Sequence, residues 1–404
     1  MKFSMRGIEP VNNFDFNQIL LYDEDGNGVD LTNAYILFRL TESIESTVNC
    51  SIDIIDTIDI KSKIDLSSNL SIKLSFNSLE RKEYEKVFHV RDISELKDSD
   101  TQKRAIVRFE CVSIFYRIDS DYRVSKSYNQ IGTHLVVREM LDLLEVSTKN
   151  QFVEKTLYNR DFIIPNISPL RAISFLKKYS QSGDPINNQD PTFLFYENKD
   201  GFHFRSLMSL INARNVFEYS YGPTNSYSPI SAYTQIISLE IPRSNYHLYT
   251  LETGGYGTTQ YNHSILNKSY IQNKVTLKEL SVDFKMLNNK LPFRDTDSNS
   301  VANQDINSFD GFYYSNNPQG DNFAIRKVCN NKFSKQVFCR IPMNTEITVG
   351  DKIFVNATSI GGDNDVELTG YWLIDTINYM INREMGYMDL KLISDSIAGV
   401  KSYV

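Results

Sequence analysis

The sequence predicts a β-rich α+β protein, with two related β-barrel domains in one chain and with an α/β insertion and a long loop-rich insertion between them. Three observations lead to this fold class. Apolar residues alternate with a period of two towards both ends of the chain, the period becomes helical in the first inserted stretch, and the two groups of strands match at a near-constant offset. At 404 residues, the chain is long enough for about two to four domains.

Strand patterns dominate residues 1–118, the predicted first barrel. Four apolar runs of strand-like composition lie at 34–40, 70–76, 87–93 and 105–114. The charged stretch 94–104 (SELKDSDTQKR) predicts a surface turn between the last two runs. Strands at this spacing, with no helices between them, are typical of a sheet closed into a barrel or of a sandwich.

Helical and strand patterns mix in residues 119–213, the predicted α/β insertion. Apolar residues over 131–144 recur at helical spacing. Ser168 is a good helix N-cap and the proline after it suits the first helical position, so a second helix is predicted from there towards Gly183. The segment 192–206 predicts a β-hairpin, because two aromatic-rich runs flank the turn sequence NKDG.

The second barrel is predicted from two separate stretches, 214–260 and 335–397. Its expected strands lie at 236–241, 337–341, 352–355, 371–377 and 388–393. Between the two stretches, 261–334 is predicted to be a loop-rich insertion. Within it, 294–322 is heavy in Asn, Asp, Ser and Gly, and we expect a surface loop that tolerates deletion. Residues 398–404 form a C-terminal tail.

The two barrels show an internal echo. The matching positions are Ile72 with Ile353, Phe88 with Trp372, and Phe109 with Leu390, which are 281, 284 and 281 residues apart. A near-constant offset indicates two copies of one β-domain with material inserted between them. Alternating strands also look alike by chance, so duplication and convergence both remain open at the level of sequence.

Charge and hydropathy exclude several classes of protein. Hydrophobic residues make up 41% of the chain and charged residues 23%, which is globular rather than disordered. The formal charge of −7 disfavours sequence-specific nucleic-acid binding, which usually needs a basic face. We expect no membrane span, because no run of about 18 apolar residues occurs. The first ten residues lack the apolar core of a signal peptide.

The four cysteines, Cys50, Cys111, Cys329 and Cys339, are far apart in sequence and form no CxxC pair. A zinc site needs close ligand pairs, so none is predicted. We expect reduced, buried thiols in a protein made in the cytosol. Alternation places Cys111 on the same core face as Phe109. Cys329 and Cys339 are able to pair in an oxidising environment, although nothing in the sequence requires it.

One acidic segment resembles the start of a calcium loop. Asp23, Asp25 and Asn27 supply oxygens at positions 1, 3 and 5, and a glycine occupies position 6. Position 12 is Ala34 instead of the glutamate that closes such a site, and the flanking residues have strand patterns. A plain β-turn and a weak metal site are the two interpretations.

We assign no catalytic, cofactor-binding or metal-binding residues from the sequence. Nucleophile elbows, phosphate-binding loops and zinc-protease motifs are absent. The histidines are scattered, at His89, His134, His203, His247 and His263. The paired acids Asp295 and Asp297 lie in the polar loop, where solvated charge explains them. Tyrosines are dense over 219–270, which suits either an interface or ordinary β-packing.

Four segments together carry a family resemblance. They are SPLRAISFL at 168–176, FLFYE with GFHFRSL within 193–207, RIPMNT with TVGD within 340–351, and GYWLID at 370–375. In order and spacing they resemble the central hub protein of contractile-tail phage baseplates. The resemblance runs over most of the chain and fades in 214–335.

The resemblance implies a homotrimeric ring in which each chain supplies two related β-barrel tube domains, so that three chains match a sixfold tail tube to a threefold spike. It implies further copies of the chain, a tail tube or tube-initiator protein, the central spike, and tape-measure and baseplate wedge proteins as partners. DNA would only pass through the lumen. The expected location is the virion tail baseplate, after synthesis in the host bacterial cytoplasm. The family brings no catalytic residues. The alternatives are a wall-degrading tail hydrolase and a receptor- or glycan-binding tail protein.

Overall fold

The computed structural model describes residues 14–56, 60–66, 69–78, 83–97, 105–222, 234–242, 257–264, 269–290, 303–305, 325–326, 328–330, 332–333, 335–359 and 363–397. Most of these residues lie in β-strands, and thirteen strands form one large, curled and mostly antiparallel sheet. The predicted β-rich class is therefore confirmed.

The first strand set contains seven strands and one short helix: β1 (Phe14–Tyr22), β2 (Gly28–Asp30), β3 (Tyr35–Ser43), β4 (Asn49–Asp56), α1 (Ile60–Lys63), β5 (Ser71–Ser78), β6 (Tyr84–Lys97) and β7 (Ala105–Ser113). The strands lie side by side in the order β3–β4–β7–β6–β5–β1–β2. Both end strands of this order, β2 and β3, belong to one continuous segment. The linker between them bonds to β1 and to β4, because Leu31 N–H donates to the Ile19 carbonyl and Ile55 N–H donates to the Ala34 carbonyl.

Alternation of apolar residues forms these strands, as β5 illustrates. Ile72, Leu74 and Phe76 point inward and are fully buried. The predicted turn over 94–104 is wrong in its first part. There β6 continues to Lys97 because β7 offers it ladder partners as far as Ala105. Residues 98–104 lie outside the described part of the chain.

The insertion consists of α2 (Ile114–Asp121), β8 (Val124–Gly132), α3 (Thr133–Leu143), β9 (Gln151–Val153), β10 (Asn159–Ile167), α4 (Pro169–Leu176), β11 (Phe193–Asn198), β12 (Gly201–Ser206) and α5 (Leu207–Asn212). The predicted helix over 131–144 begins two residues later, because Ile131 pairs with Arg160 in the β8–β10 ladder. The predicted hairpin is confirmed as β11 and β12. This part of the chain has a hydrophobic core of its own.

Helix α4 begins as predicted, with Ser168 at the N-cap and proline in the first turn. The Ser168 side chain makes no capping bond. Instead, Asp119 Oδ1 accepts from Leu170 N–H at 2.7 Å, so a carboxylate from α2 caps the helix. The α-helix ends at Leu176, before the predicted stop near Gly183, and a single 3₁₀ turn continues it to Tyr179.

The rest of the chain forms β13 (Asn215–Tyr221), β14 (Ser238–Glu240), β15 (Gly257–Ser264), β16 (Ser269–Thr276), α6 (Leu277–Asp283), β17 (Asn303–Asp305), β18 (Lys335–Pro342), β19 (Lys352–Ala357), β20 (Gly370–Asn382) and β21 (Gly386–Ser394). The second strand set has the order β14–β18–β21–β20–β19–β13. The segment 234–240, which ends in β14, bonds both to β13 at the other end of the order and to β18, through Ile236 N–H to the Ser220 carbonyl and Ile237 N–H to the Arg340 carbonyl.

The predicted loop-rich insertion, 261–334, contains more regular structure than expected. Strands β15 and β16 form a hairpin, and β17 pairs with β15 in parallel. Helix α6 begins at a capping box between Thr276 and Glu279, a local signal that sequence reasoning missed. Apart from β17, the predicted loop 294–322 lies outside the described residues, and so does the predicted tail 398–404.

The register of strand pairing repeats between the two sets. The corresponding facing pairs are Ile72–Phe88 and Ile353–Trp372, Val90–Cys111 and Ile374–Leu392, and Ile93–Phe109 and Ile377–Leu390. A β-bulge interrupts both ladders at the same place, after Val90 in β6 and after Ile374 in β20. The offsets found in the sequence therefore coincide with a shared backbone register that includes an irregularity.

Candidate assembly site at the junction of the strand sets

The two strand sets meet where β20 pairs with β3. The antiparallel ladder runs from Thr376 opposite Ser43 to Asn382 opposite Leu37. The side chains of Thr41 and Asn378 add a hydrogen bond of 2.9 Å across it. Strand β20 is able to serve both sets because its first part pairs with β19 and its part beyond the bulge pairs with β3. We call this contact, with the side chains around it, the junction.

An aromatic cluster fills the inner face of the junction. Tyr379 of β20 lies 5.8 Å from the ring of Phe76 and 5.7 Å from that of Tyr84, both in the first strand set. Phe76 and Tyr84 stack on each other at 4.9 Å. All three side chains are fully buried. The Tyr379 hydroxyl has no hydrogen-bond partner among the described residues. Tyr379 therefore joins the two strand sets through the apolar packing of its ring.

A buried carboxyl group lies beside this cluster. Glu42, on the inner face of β3, is fully buried and accepts a hydrogen bond of 2.9 Å from the Tyr84 hydroxyl. Burial raises the pKa of Glu42 to about 7, and the nearby ammonium of Lys86 opposes the rise. The group therefore gains or loses its proton near neutral pH while it is enclosed by the core.

A second buried carboxylate fixes the inserted hairpin to the first strand set. Glu197 on β11 is 2.8 Å from Lys86 Nζ, and the same ammonium donates to the Asn198 carbonyl at 2.6 Å. The Ser113 hydroxyl donates to Glu197 at 2.9 Å and Val48 N–H donates at 3.3 Å. This buried ion pair and its hydrogen bonds thus join the hairpin to three segments of the first strand set, and the hydrogen bonds offset the cost of burying the charges.

The segment around TVGD ties the second strand set to the same place. Thr345 N–H donates to Ser78 Oγ at 3.0 Å, and Lys199 Nζ donates to the Thr345 carbonyl. Asp351 Oδ2 accepts from Thr348 N–H at 2.8 Å, which closes the turn. The loop therefore contacts β5, the hairpin turn and its own strand set at once.

Gly350 in this turn is the position where the backbone requires glycine. Its φ angle is +84°, in the left-handed region. A Cβ atom there would also overlap the hydroxyl of Tyr196 on β11. The close approach of turn and hairpin therefore depends on the missing side chain.

The calcium-like segment forms the turn between β1 and β2. Asp23 Oδ1 accepts from Asn27 N–H at 2.8 Å, and Oδ2 accepts from the Asn27 amide at 2.9 Å. These bonds, led by the side-chain bond, lower the pKa of Asp23. Asp25 is exposed at the tip. The geometry accounts for these residues as a hairpin turn, and no cluster of three or more His, Cys, Asp or Glu side chains suited to a metal occurs in the described ranges.

The cysteines and histidines take structural positions. All four thiols are buried and free, so the pairing considered for Cys329 and Cys339 does not occur. Cys111 lies on the core face as predicted, opposite Cys50. The His203 ring stacks between Phe152 and Tyr196, and burial lowers the pKa of His203 to about 3. His89 and His134 are half-buried, whereas the surroundings of His247 and His263 fall outside the described side chains.

Two further expectations have partial outcomes. Tyr219 is fully buried and accepts a hydrogen bond of 2.9 Å from the Asn344 amide, so it packs in the second strand set and forms no surface anchor. Most of the other tyrosines of 219–270, and the acids Asp295 and Asp297, belong to the part of the chain that is not described. Among the described helices, none has the length and apolar character needed to cross a membrane.

Sequence reasoning missed the polar residues of the junction, although a signal was present. Glu42 follows Phe38 and Leu40 at the inward positions of β3, and Glu197 follows Phe193 and Phe195 in β11. A charged residue at a position that alternation assigns to the core must be neutralised or paired. Such breaks in an otherwise regular pattern mark the buried contacts between segments.

Comparison with known proteins gives one curated relative over the full length. The chain is 22% identical over 425 residues to the "Probable baseplate hub protein gp334" of Vibrio phage KVP40, with 98% of each chain covered. No family model matches the sequence. The predicted resemblance to phage baseplate hub proteins is confirmed by this relative.

Two solved structures of tail proteins share the fold. The 43 kDa tail protein of prophage MuSo2 from Shewanella oneidensis superposes with a TM-score of 0.58 at 8% identity, covering 94% of this chain and 98% of that one. A tail protein from Neisseria meningitidis MC58 gives a TM-score of 0.55 at 8% identity, with 95% and 97% covered. Both strand sets and the insertion therefore belong to an arrangement found in tail proteins.

Proposed function

We propose that this chain is a structural baseplate hub of a contractile phage tail. The observation that carries the proposal is the full-length similarity to a baseplate hub protein, which covers 98% of both chains. The shared fold of two tail proteins supports it independently of sequence identity. The junction agrees with a connective role, because its buried groups hold separate segments of the chain together.

We infer that the two strand sets are related β-barrel tube domains. The repeated register, with a bulge at the same place in each set, supports this reading better than chance resemblance does. A closed circuit of strands in each set also supports it, since the segment from β2 to β3 bonds to both β1 and β4, and the segment 234–240 bonds to both β13 and β18. One difference stands against a strict copy: β1 pairs with β5 antiparallel, whereas β13 pairs with β19 in parallel.

Three such chains would form a ring with six similar barrels, which matches a sixfold tail tube above and a threefold spike below. The proposed partners are other copies of the chain, a tube or tube-initiator protein and the central spike, with tape-measure and wedge proteins as further contacts. DNA would pass through the lumen without being recognised. We propose no enzymatic activity, because Glu42, the junction acid whose pKa burial raises, is enclosed by core side chains and cannot reach a polymer substrate.

The test is a phage in which the gene for this chain carries an early stop codon. A hub is needed to start the tail, so lysates should contain heads without complete tails under the electron microscope, and supplying the chain from a plasmid should restore tails. Complete tails that fail to adsorb would favour the receptor-binding alternative. Complete tails that adsorb but leave the wall undigested would favour the hydrolase alternative, and purified protein that clears peptidoglycan would support it directly.

A further inference from the structure

Both strands of the β3–β20 contact have a corresponding strand in the other strand set. These two corresponding strands do not pair with each other within the chain. Strand β6 corresponds to β20, since it has the same bulge and its first part pairs with β5 as β20 pairs with β19. Beyond Val90, β6 pairs only with β7 along one edge, and no described strand lies along the other edge. The part of β20 at the same position is the part that pairs with β3.

Strand β14 corresponds in the same way to β3. Phe38 faces Ile52, which faces Phe109, and Leu239 faces Cys339, which faces Leu390. This places Leu239 in the position of Phe38, 201 residues further along, and Glu240 in the position of Arg39. Strand β14 pairs with β18 and has no second neighbour among the described strands. The chain therefore has two open edges that match the two halves of an existing contact.

The burial of apolar side chains also indicates that the edges of β6 and β14 are open. Inward-facing apolar residues are fully buried where the contact is made and only partly buried at the matching open positions. The matched pairs are Ile377 with Ile93, Phe38 with Leu239, and Leu40 with Ile241, whose exposure is 36%. Ile237, just before β14, is 46% exposed. Apolar side chains along an open strand edge are a hazard that an assembling protein removes by covering them.

We propose that β6, beyond its bulge, pairs antiparallel with β14 of a second copy of this chain, in the register of the β20–β3 contact. Met380 faces Arg39 within the chain, so Leu96 faces the partner subunit's Glu240. The partner is a second copy of this chain, because every chain carries both the open edge of β6 and the matching open edge of β14. The contact is head-to-tail, and three copies close into the proposed ring when each contact rotates the chain by one third of a turn. This inference rests on the proposed hub function and names the strands that form its subunit interface.

In this ring every barrel meets its neighbour in the same way. Contacts within a chain, made by β20 and β3, alternate with contacts between chains, made by β6 and β14. The proposed pairing also gives a role to the charged residues 94–97, which form a strand where their composition indicates a turn, because they would lie in a ladder that assembly completes.

The test is a double variant, Leu96→Cys with Glu240→Cys, carried in phage tails. Directly opposed residues on antiparallel strands have Cβ atoms about 4.5–5.5 Å apart, near the range that a disulfide spans. The four native thiols are buried and free, so they give little background. After mild oxidation of purified tails, the double variant should migrate as covalent dimers and trimers on a non-reducing gel.

Two controls fix the register. Ser94→Cys with Glu240→Cys shifts the pair by two residues, about 7 Å along the strand, and should cross-link at least tenfold less. Each single variant should give no cross-linked dimers or trimers on the gel. As a second measurement on the wild-type chain, backbone amides of 92–97 and 238–241 should exchange more slowly in tails than in the free protein.

The outcomes separate the inference from the proposed function. Cross-linking of the matched pair alone, with slowed exchange of both edges, supports the pairing. Equal cross-linking of the shifted pair contradicts the register. Tails that contain the chain but give neither cross-links nor slowed exchange overturn the pairing and leave the hub function standing. Tails that assemble without the chain overturn both.

Discussion

Replacing Glu42 by glutamine should remove a pH dependence of stability that the junction imposes. The carboxyl group of Glu42 has an ordinary pKa of 4.5, and burial raises it to about 7 in the folded chain. The folded state therefore holds this proton more tightly than the unfolded state does. The contribution to stability is complete below pH 4.5 and is lost as the pH rises through 7.

The size of the effect follows from the shift. Each pKa unit corresponds to about 1.4 kcal/mol, so a shift of this size costs the wild-type chain about 2–3 kcal/mol between pH 5 and pH 8. Glutamine stays neutral and keeps an oxygen that accepts from Tyr84. We expect the unfolding free energies of Glu42→Gln and wild type to be similar at pH 5 and to separate by about 2–3 kcal/mol, in favour of the variant, at pH 8.

The assay is urea unfolding at pH 5, 6, 7 and 8, followed by the fluorescence of Trp372. This is the single tryptophan, and it is buried on β20, the strand that forms the junction. The expected difference is a midpoint shift on the order of 1 M urea at pH 8. Glu45→Gln, at an exposed carboxylate close in sequence, is the matched control and should follow the wild type. Parallel pH curves for Glu42→Gln and wild type would refute the reasoning.

Three further variants test the packing of the junction by the same urea assay. Tyr379→Ala should cost about 3–5 kcal/mol of unfolding free energy, whereas Tyr379→Phe should match or exceed wild type because it removes an unpaired buried hydroxyl; a phenylalanine variant as weak as the alanine one would contradict this. Glu197→Ala should cost about 3–5 kcal/mol because Lys86 stays buried without its counter-charge, and adding Lys86→Met should recover part of the loss; no recovery would show that the charge is not the cause. Gly350→Ala should cost about 2–4 kcal/mol through its positive φ and the overlap with Tyr196, and adding Tyr196→Phe, which removes the overlapping hydroxyl, should relieve part of it.

Local patterns explain which elements could be predicted from the sequence. Strands β5, β19 and β21 can be predicted from the sequence because their inward-facing side chains form uninterrupted runs of apolar residues. Strand β4 was missed because it carries Asp53. The structure pairs that carboxylate with Arg108 of the neighbouring strand at 2.6 and 2.8 Å, a partner that a single-strand pattern cannot reveal. The end of β6 has the charged composition of a turn, and its strand conformation depends on the ladder with β7, which the local sequence does not reveal.

The junction could not be predicted because its contacts are non-local. Thr41 and Asn378 bond across 337 residues of sequence, and no periodicity reports which distant edge a strand will meet. Buried polar residues carry a signal only once alternation has assigned them to the core, as for Glu42 and Glu197. The internal echo came closest to a long-range prediction, because an offset between distant strands is itself a non-local observation.

The distance between β3 and β20 has a consequence for synthesis on the ribosome. Strand β3 is made early, whereas its partner segment of β20 emerges 337 residues later. At about 5–20 residues per second, the edge of β3 waits roughly 20–70 s before the chain can cover it. During that time the nascent first strand set exposes an apolar edge suited to pairing with a neighbouring nascent chain. Translation speed and chaperone access therefore influence whether the chain completes its own junction or joins to the wrong molecule.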